Sequence, residues 1–437
     1  MKKKLLLAGL SGLSGLLCLP VQAATTQFSG YLEAEARYYP NDPIFDFQSD
    51  AFGSAAAEVE FYAASDNEDH SFRFKPFGRV TTADEGNRQH ADIRELYYTF
   101  VGSGWNMEIG INKVYWGVAE SAHLVDIINQ TDVVESFNGE EKLGQPMISF
   151  GIEQDWGNLD LYILPYFRER KFSAGDERNQ LPLPIDYDKV VYEDEDEEKH
   201  IDFAARWGNY FGDLDVGISY FNGTSREAIP ILAGVDSSGT PVAFSSYYQQ
   251  MQQFGLELQY IWEDWAFKFE GTHQAMNTGD FNSAVTGFEY TVSDVASSGI
   301  DVGLLAEYMW NDRGTVDIKE ASLIASGFPP DQALSPELEA QAKLPGEFLS
   351  PFEHDIFLGT RFTMNDIDST DFIAGVIYDI DKGTSIASFE GGTRIGQSVR
   401  VSMNVYFLTN VPKNPDDSSF YYSRHDDQIE LKAQWYF

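Results

Sequence analysis

Apolar and polar residues alternate with a period of two in segment after segment of this chain, as in strands with one dry face and one wet face. The last segment is the clearest: Ile429, Leu431, Ala433, Trp435 and Phe437 alternate with Glu430, Lys432, Gln434 and Tyr436. Near the start, Phe28, Gly30, Leu32, Ala34, Ala36 and Tyr38 alternate with Ser29, Tyr31, Glu33, Glu35, Arg37 and Tyr39. Alternation read with turn residues predicts strands near 27–39, 51–64, 71–82, 91–102, 105–116, 146–155, 158–169, 200–210 and 213–222. A second set follows near 247–262, 265–276, 284–293, 299–311, 354–365, 371–380, 384–394, 398–410 and 425–437. That makes 18 strands, with 16 as the alternative if the weak segment 284–293 pairs differently.

Connections after even-numbered strands are short and turn-like, such as Gly102-Ser103-Gly104, Trp156-Gly157 and Glu263-Asp264. Most of those after odd-numbered strands are long: 117–145, 170–199, 223–246, 312–353 and 411–424. Tight turns at one end and long loops at the other predict an all-β, transmembrane antiparallel up-and-down β-barrel. Closure pairs every strand edge, so no backbone group is left to face lipid. No run of 18 or more apolar residues occurs after the first segment, which excludes helical spans. A barrel of this strand number is wide enough to hold water.

Composition narrows the field. Among 437 residues, 30 Lys and Arg stand against 69 Asp and Glu, so the formal charge is 30 − 69 = −39. Such an acidic chain lacks the basic face that nucleic acid or an anionic membrane surface requires. The single cysteine, Cys18, allows neither a disulfide framework nor a cysteine metal site, and nothing calls for a cofactor. Cys18 lies in a segment of its own: Lys2, Lys3 and Lys4 precede the apolar run from Leu5 to Leu19, and Val21-Gln22-Ala23 follows. This is the layout of a secretory signal peptide, so residues 1–23 are expected to be removed and 24–437 to form one barrel.

The terminal strand, ending in Phe437, resembles the last strand of bacterial outer-membrane barrels. That resemblance implies residence in the Gram-negative outer membrane, contact with its lipid and lipopolysaccharide, and delivery by the barrel-assembly machinery through that strand. Gly110-Ile111-Asn112-Lys113-Val114-Tyr115-Trp116-Gly117, Asp126-Ile127-Ile128-Asn129 and Gly223-Thr224-Ser225-Arg226-Glu227 are similar to a group of proteobacterial outer-membrane barrels. So are Phe288-Glu289-Tyr290-Thr291 and Leu304-Leu305-Ala306-Glu307-Tyr308. The likeness implies a fold and a location rather than a substrate, and Ala228 stands where that group often has proline.

In the porin architecture the third long connection folds into the barrel and narrows it. Here 117–145 mixes apolar and acidic residues, so Leu124, Val125, Ile127 and Ile128 are expected against the wall while Glu120, Asp126 and Asp132 face the opening. A short strand extension or an external cap is the alternative. Strand three offers Arg73, Lys75 and Arg79 on its polar face, and Arg37, Lys268, Arg361 and Arg400 are further bases. Acids facing bases across an opening would set up a transverse field; bases paired with neighbouring wall carboxylates would not. The run 186–198 holds eight carboxylates against Lys189 and reads as a solvated outer loop. Ser335-Pro336-Glu337 has the form of a helix start within 312–353, a loop able to cover the mouth.

These residues point to a passive channel for small hydrophilic or amphipathic solutes and not to an enzyme. A barrel hydrolase is the alternative, although no G-x-S-x-G occurs and the His residues are scattered, His273 beside Thr272 among them. An adhesin or structural envelope protein acting through its outer loops is a third reading.

Overall fold

The computed structural model describes residues 25–437 except 137, 238–239, 334–338, 340–341 and 351. The expected leader and the helix start at Ser335 lie outside the described residues. Strands β1 (Thr25–Tyr38), β2 (Ala51–Ala64), β3 (His70–Thr81), β4 (His90–Gly102), β5 (Trp105–Asn112) and β6 (Gln145–Gln154) open the barrel. β7 (Gly157–Leu164), β8 (Asp202–Phe211), β9 (Leu214–Thr224), β10 (Gln250–Trp262), β11 (Trp265–Met276) and β12 (Phe281–Val292) follow. β13 (Asp301–Asn311), β14 (His354–Thr363), β15 (Asp371–Asp379), β16 (Ser385–Ile395), β17 (Val399–Thr409) and β18 (Gln428–Tyr436) complete it.

Each strand pairs antiparallel with the next, and β1 pairs with β18, so 18 strands close into one barrel. The weak segment is a full member: Phe281–Val292 pairs with both neighbours. At the seam the Gly30 and Phe437 backbones exchange two hydrogen bonds, and the Phe28 and Phe437 rings lie 5.9 Å apart. A Cβ on Gly30 would stand 2.4 Å from the Glu58 carbonyl oxygen and 3.1 Å from the Phe437 ring, so only glycine lets the strands meet here.

Alternation decides what faces outward. Phe28, Leu32, Ile109, Ile218, Phe254, Leu358 and Leu431 are large, apolar and exposed, while Glu33, Glu35, Glu257, Glu270, Glu307 and Glu430 are buried inside. This inverts a soluble protein, in which exposed apolar area is scattered. Exposed Trp105, Trp156, Tyr210 and Trp262 lie at the short-turn end, and Tyr38, Trp310, Tyr378 and Phe407 near the long-loop end. Two aromatic rings bounding an apolar band are the interfacial girdles of a membrane barrel.

Strand limits depart from the sequence expectation in several places, among them the strand expected over 158–169, which ends at Leu164. The strand expected over 105–116 stops at Asn112, because side chains of the following loop capture the next backbone donors. In β3 the register shifts between Lys75 and Pro76, where proline has no N–H to give. The bulge turns adjacent Arg94 and Glu95 of β4 both inward, Arg94 to Asp132 at 2.6 Å and Glu95 to Lys75 at 2.9 Å.

Outside the membrane band the long loops build a module of their own. Val191–Tyr192, Ile229–Leu232 and Phe244–Tyr248 form a three-stranded sheet. Ile229, Ile231 and Val191 share a core with Val316 and Ile318, which lead into a short helix, Lys319–Ala325, and with Ala321 of that helix. Of the acidic run, Glu195, Asp196 and Glu197 are exposed.

Candidate functional site

The connection between β5 and β6, residues 113–144, enters the barrel. Its apolar residues Trp116, Val125, Ile127 and Ile128 pack on Met147, Tyr162, Leu164, Ala204, Phe221 and Met251 of β6 through β10. Ala119, Ala122 and Leu124 pack on Val285, Leu305, Met309 and Phe357 of β12 through β14. The loop therefore leans on two stretches of inner wall.

Polar contacts fix the same path. Asn129 accepts from the Val114 N–H at 2.8 Å and donates to the carbonyls of Asn112 and Leu143, both at 2.9 Å. Asp126 Oδ1 accepts from the N–H groups of Trp116 at 2.7 Å and Gly117 at 3.1 Å. From the wall, Glu270 accepts from Val118 at 2.6 Å, Ala119 at 2.8 Å and Val125 at 3.3 Å. Glu307 accepts from the backbones of Glu120 at 2.9 Å and Ser121 at 2.7 Å. Two buried carboxylates thus satisfy five loop amides that would otherwise be unpaired. Arg226 donates to the Ile128 carbonyl at 3.1 Å and pairs with Asp202 at 2.6 Å, so the Ser-Arg-Glu stretch clasps the loop.

Acids and bases are paired directly, not set apart across the opening. Glu120 touches Arg361 at 2.6 Å, and Asp132 is buried against Arg94. Arg79 is almost fully buried between Glu135 at 2.9 Å, Glu33 at 2.8 Å and Glu35 at 3.4 Å. Arg37 bonds Glu430 at 2.7 Å and the Glu135 carbonyl at 2.8 Å, and Arg400 meets Asp371 at 2.9 Å. Arg73 and Lys75 keep more exposure and share Glu60 and Glu95. Unpaired charges out of water are costly, so the loop lays its carboxylates directly on guanidinium groups of the wall. Sequence reasoning missed Arg88 and Arg94 altogether, and nothing in it gave Glu135, Glu270 and Glu307 the role of holding the loop; only Pro76, marking the bulge, signalled the inward turn of Arg94.

Burial pushes the Glu135 carboxyl up, but Arg79 and Arg88 outweigh it and hold it below the ordinary 4.5. The Glu120 carboxyl is pushed up by burial despite Arg361 and Lys268. The hydrogen bond that His123 Nε2 donates to the Glu140 carboxylate, at 3.1 Å, lifts His123 above its ordinary 6.5 although burial opposes it. A raised folded value means this contact is fully stabilising below pH 6.5 and is lost as pH rises through that raised value. Histidine ring resonances should report this: His123 titrates above 6.5, and Glu140→Gln moves the midpoint down.

Where the loop does not pack, space remains. A cavity of ≈ 840 Å³ lies between its 135–141 arm and β1 through β5 and β16 through β18. Tyr31, Glu58, Arg73, Lys75, Tyr97 and Glu390 border it. A second, of ≈ 500 Å³, shares Asn112, Lys113 and Tyr115 with the first and reaches Gly102, Gly104 and Glu153 at the short-turn end. A third, of ≈ 230 Å³, lies on the long-loop side, lined by Arg37, Arg88, Val134, Arg178 and Asn179. Among the described residues no cluster of His, Cys, Asp or Glu could hold a metal ion. His273 is exposed and bonds Asn282 at 3.0 Å, with no nucleophile on it.

A closed barrel with an apolar belt between aromatic girdles, a wet interior and short turns at one end is an outer-membrane β-barrel of porin-like form. Its place is the outer membrane of the cell. No family model matches the chain, and no curated protein matches its sequence. Among solved structures it is similar to OmpT, an outer membrane protein of Vibrio cholerae, in its trimer form, at 11% identity and TM-score 0.44 over 94% of this chain and 99% of that one. It is also similar to OprB of Pseudomonas putida, at 12% identity and TM-score 0.42 over 94% of each chain. Wzi, involved in group 1 capsule assembly in Escherichia coli and described as a carbohydrate-binding β-barrel, aligns at 10% identity and TM-score 0.46, over 92% of this chain and 83% of Wzi. At such scores the likeness is one of barrel outline alone.

Proposed function

We propose that the protein is a passive channel for small hydrophilic or amphipathic solutes, and that the loop 113–144 narrows it without sealing it. The observation that supports this is the pair of cavities that meet at Asn112, Lys113 and Tyr115 and lead from the middle of the lumen to the short-turn end. Their walls carry tyrosines and charges of both signs, a surface that solvates polar molecules. Passage then follows width and charge.

Of the bases first expected to face the opening, Arg73 and Lys75 border the larger cavity with side chains 33% and 18% exposed. Changing both to Gln leaves Glu60 and Glu95 without a counter-charge. The expected result is a shift of reversal potential in a salt gradient towards cations by about twofold in permeability ratio, with stability changed by less than about 1 kcal/mol. Unchanged selectivity would place this cavity off the conduction path.

A further inference from the structure

One outer connection does more than surround the mouth. The chain from β7 to β8 runs along the rim past β4, where Arg168 meets Asp92 at 2.8 Å, and past Asn87, which donates to the Phe172 carbonyl at 2.9 Å. It then reaches the loops on either side of β1. Arg178, with no exposed side-chain surface, pairs with Asp50 at 2.6 Å and Asp426 at 3.2 Å, and donates to the carbonyls of Ser49 at 3.0 Å and Asn41 at 2.9 Å. Its guanidinium lies 5.1 Å from the Tyr39 ring centre, and the Asn179 N–H donates to Asp426 at 2.8 Å.

Only five residues later the chain is elsewhere. The Pro184 carbonyl accepts from Phe244 at 2.9 Å, and Asp186 donates to the Phe244 carbonyl at 2.8 Å. Phe244 belongs to the connection between β9 and β10. In a ring of 18 strands β1 and β10 stand nine places apart, on opposite sides. Strands about 4.8 Å apart and tilted by about 40° give such a ring a width of roughly 36 Å. Five residues reach at most about 18 Å even when extended. The rim loops must therefore lean inward, and 179–184 bridges what is left of the mouth. Its sequence suits a bridge: Leu181-Pro182-Leu183-Pro184 alternates proline with leucine, which holds the backbone extended and stiff. Arg178 and Asn179 also line the ≈ 230 Å³ cavity above the inward loop, smaller than the ≈ 840 Å³ space beside it.

We infer that the segment Asn179-Gln180-Leu181-Pro182-Leu183-Pro184, anchored by Arg178, is a strap across the outer mouth that sets the upper size of solute admitted. This rests on the channel reading above and adds a second restriction, outside the inward loop. Arg178 is a positioning residue: it holds the strap by one end.

The test uses the full chain in proteoliposomes, with swelling rates measured for a series from a pentose to a tetrasaccharide. Arg178→Ala frees one end, and Pro182→Gly with Pro184→Gly softens the span while leaving Arg178 in place. For either variant the tetrasaccharide rate relative to the pentose is expected to rise about threefold. Heat-modifiable migration in gels shows which variant has folded, and the proline variant serves if Arg178→Ala has not. A folded variant with the wild-type size profile overturns the strap. No swelling with any sugar, in wild type and variants alike, overturns the channel reading itself.

Discussion

Replacing Glu270 by Ala should release the middle of the inward loop and produce the largest change in channel behaviour of any single substitution. Three backbone donors, those of Val118, Ala119 and Val125, converge on this one carboxylate, which is itself fully buried. Hydrogen bonds to a charged acceptor contribute about 1.5–3 kcal/mol each, and a buried donor left unpaired costs about 1–3 kcal/mol. The bonds share one acceptor and are not additive, so a loss of about 3 kcal/mol or more is expected. Glu307→Ala should act in the same direction on Glu120 and Ser121. Both changes together should raise single-channel conductance several-fold and make the loop cleavable by protease. Glu270→Gln should fall between, since it keeps one accepting oxygen and turns an NH₂ group towards a donor. Conductance steps of wild-type size in the double variant would show that the loop is held by its apolar contacts alone.

Arg79→Ala is the second large effect, and it is expected in stability rather than in flow. The guanidinium serves Glu33, Glu35 and Glu135 together, with its side chain 3% exposed. Removing one partner of a buried ionic set costs about 3–5 kcal/mol, because the remaining charges stay buried without compensation. The variant should unfold at lower temperature in detergent. In the wild type, the depressed Glu135 carboxyl makes its pairing fully stabilising above pH 4.5, and that contribution is lost as pH falls through the lower folded value. Losing Arg79 removes the largest opposition to burial, so acid release of the loop should begin at higher pH. An unchanged melting temperature with an unchanged acid transition would contradict this role.

Strand positions were legible because lipid and water impose opposite demands on successive residues, and that demand repeats all along the chain. Phe281–Val292, the weakest segment by alternation, still pairs on both sides. The end of β5 was less legible. Val114 and Trp116 stand on the phase of Asn106, Glu108 and Asn112, opposite the lipid-side Trp105, Met107, Ile109 and Ile111, and they pack in the loop's own core. A strand drawn through to 116 overlooks that change of phase at Lys113. Charges facing the lumen were placed by alternation, but their partners were not, since Arg79 and Glu135 lie 56 residues apart. Glu270 and Glu307 looked like ordinary polar-face residues, and nothing local marks an acid that will cradle a distant backbone. The strap was hidden for the same reason: its proline spacing shows stiffness, and only the tertiary contacts of Arg178 and Phe244 show what it spans.

The central claim is that water and ions cross this barrel beside its inward loop. Current through a planar bilayer holding the refolded full chain tests it most directly. Discrete, ohmic steps that grow when Glu270 and Glu307 are both changed to Ala are the predicted result. A folded, membrane-inserted barrel that carries no current in either form would contradict it.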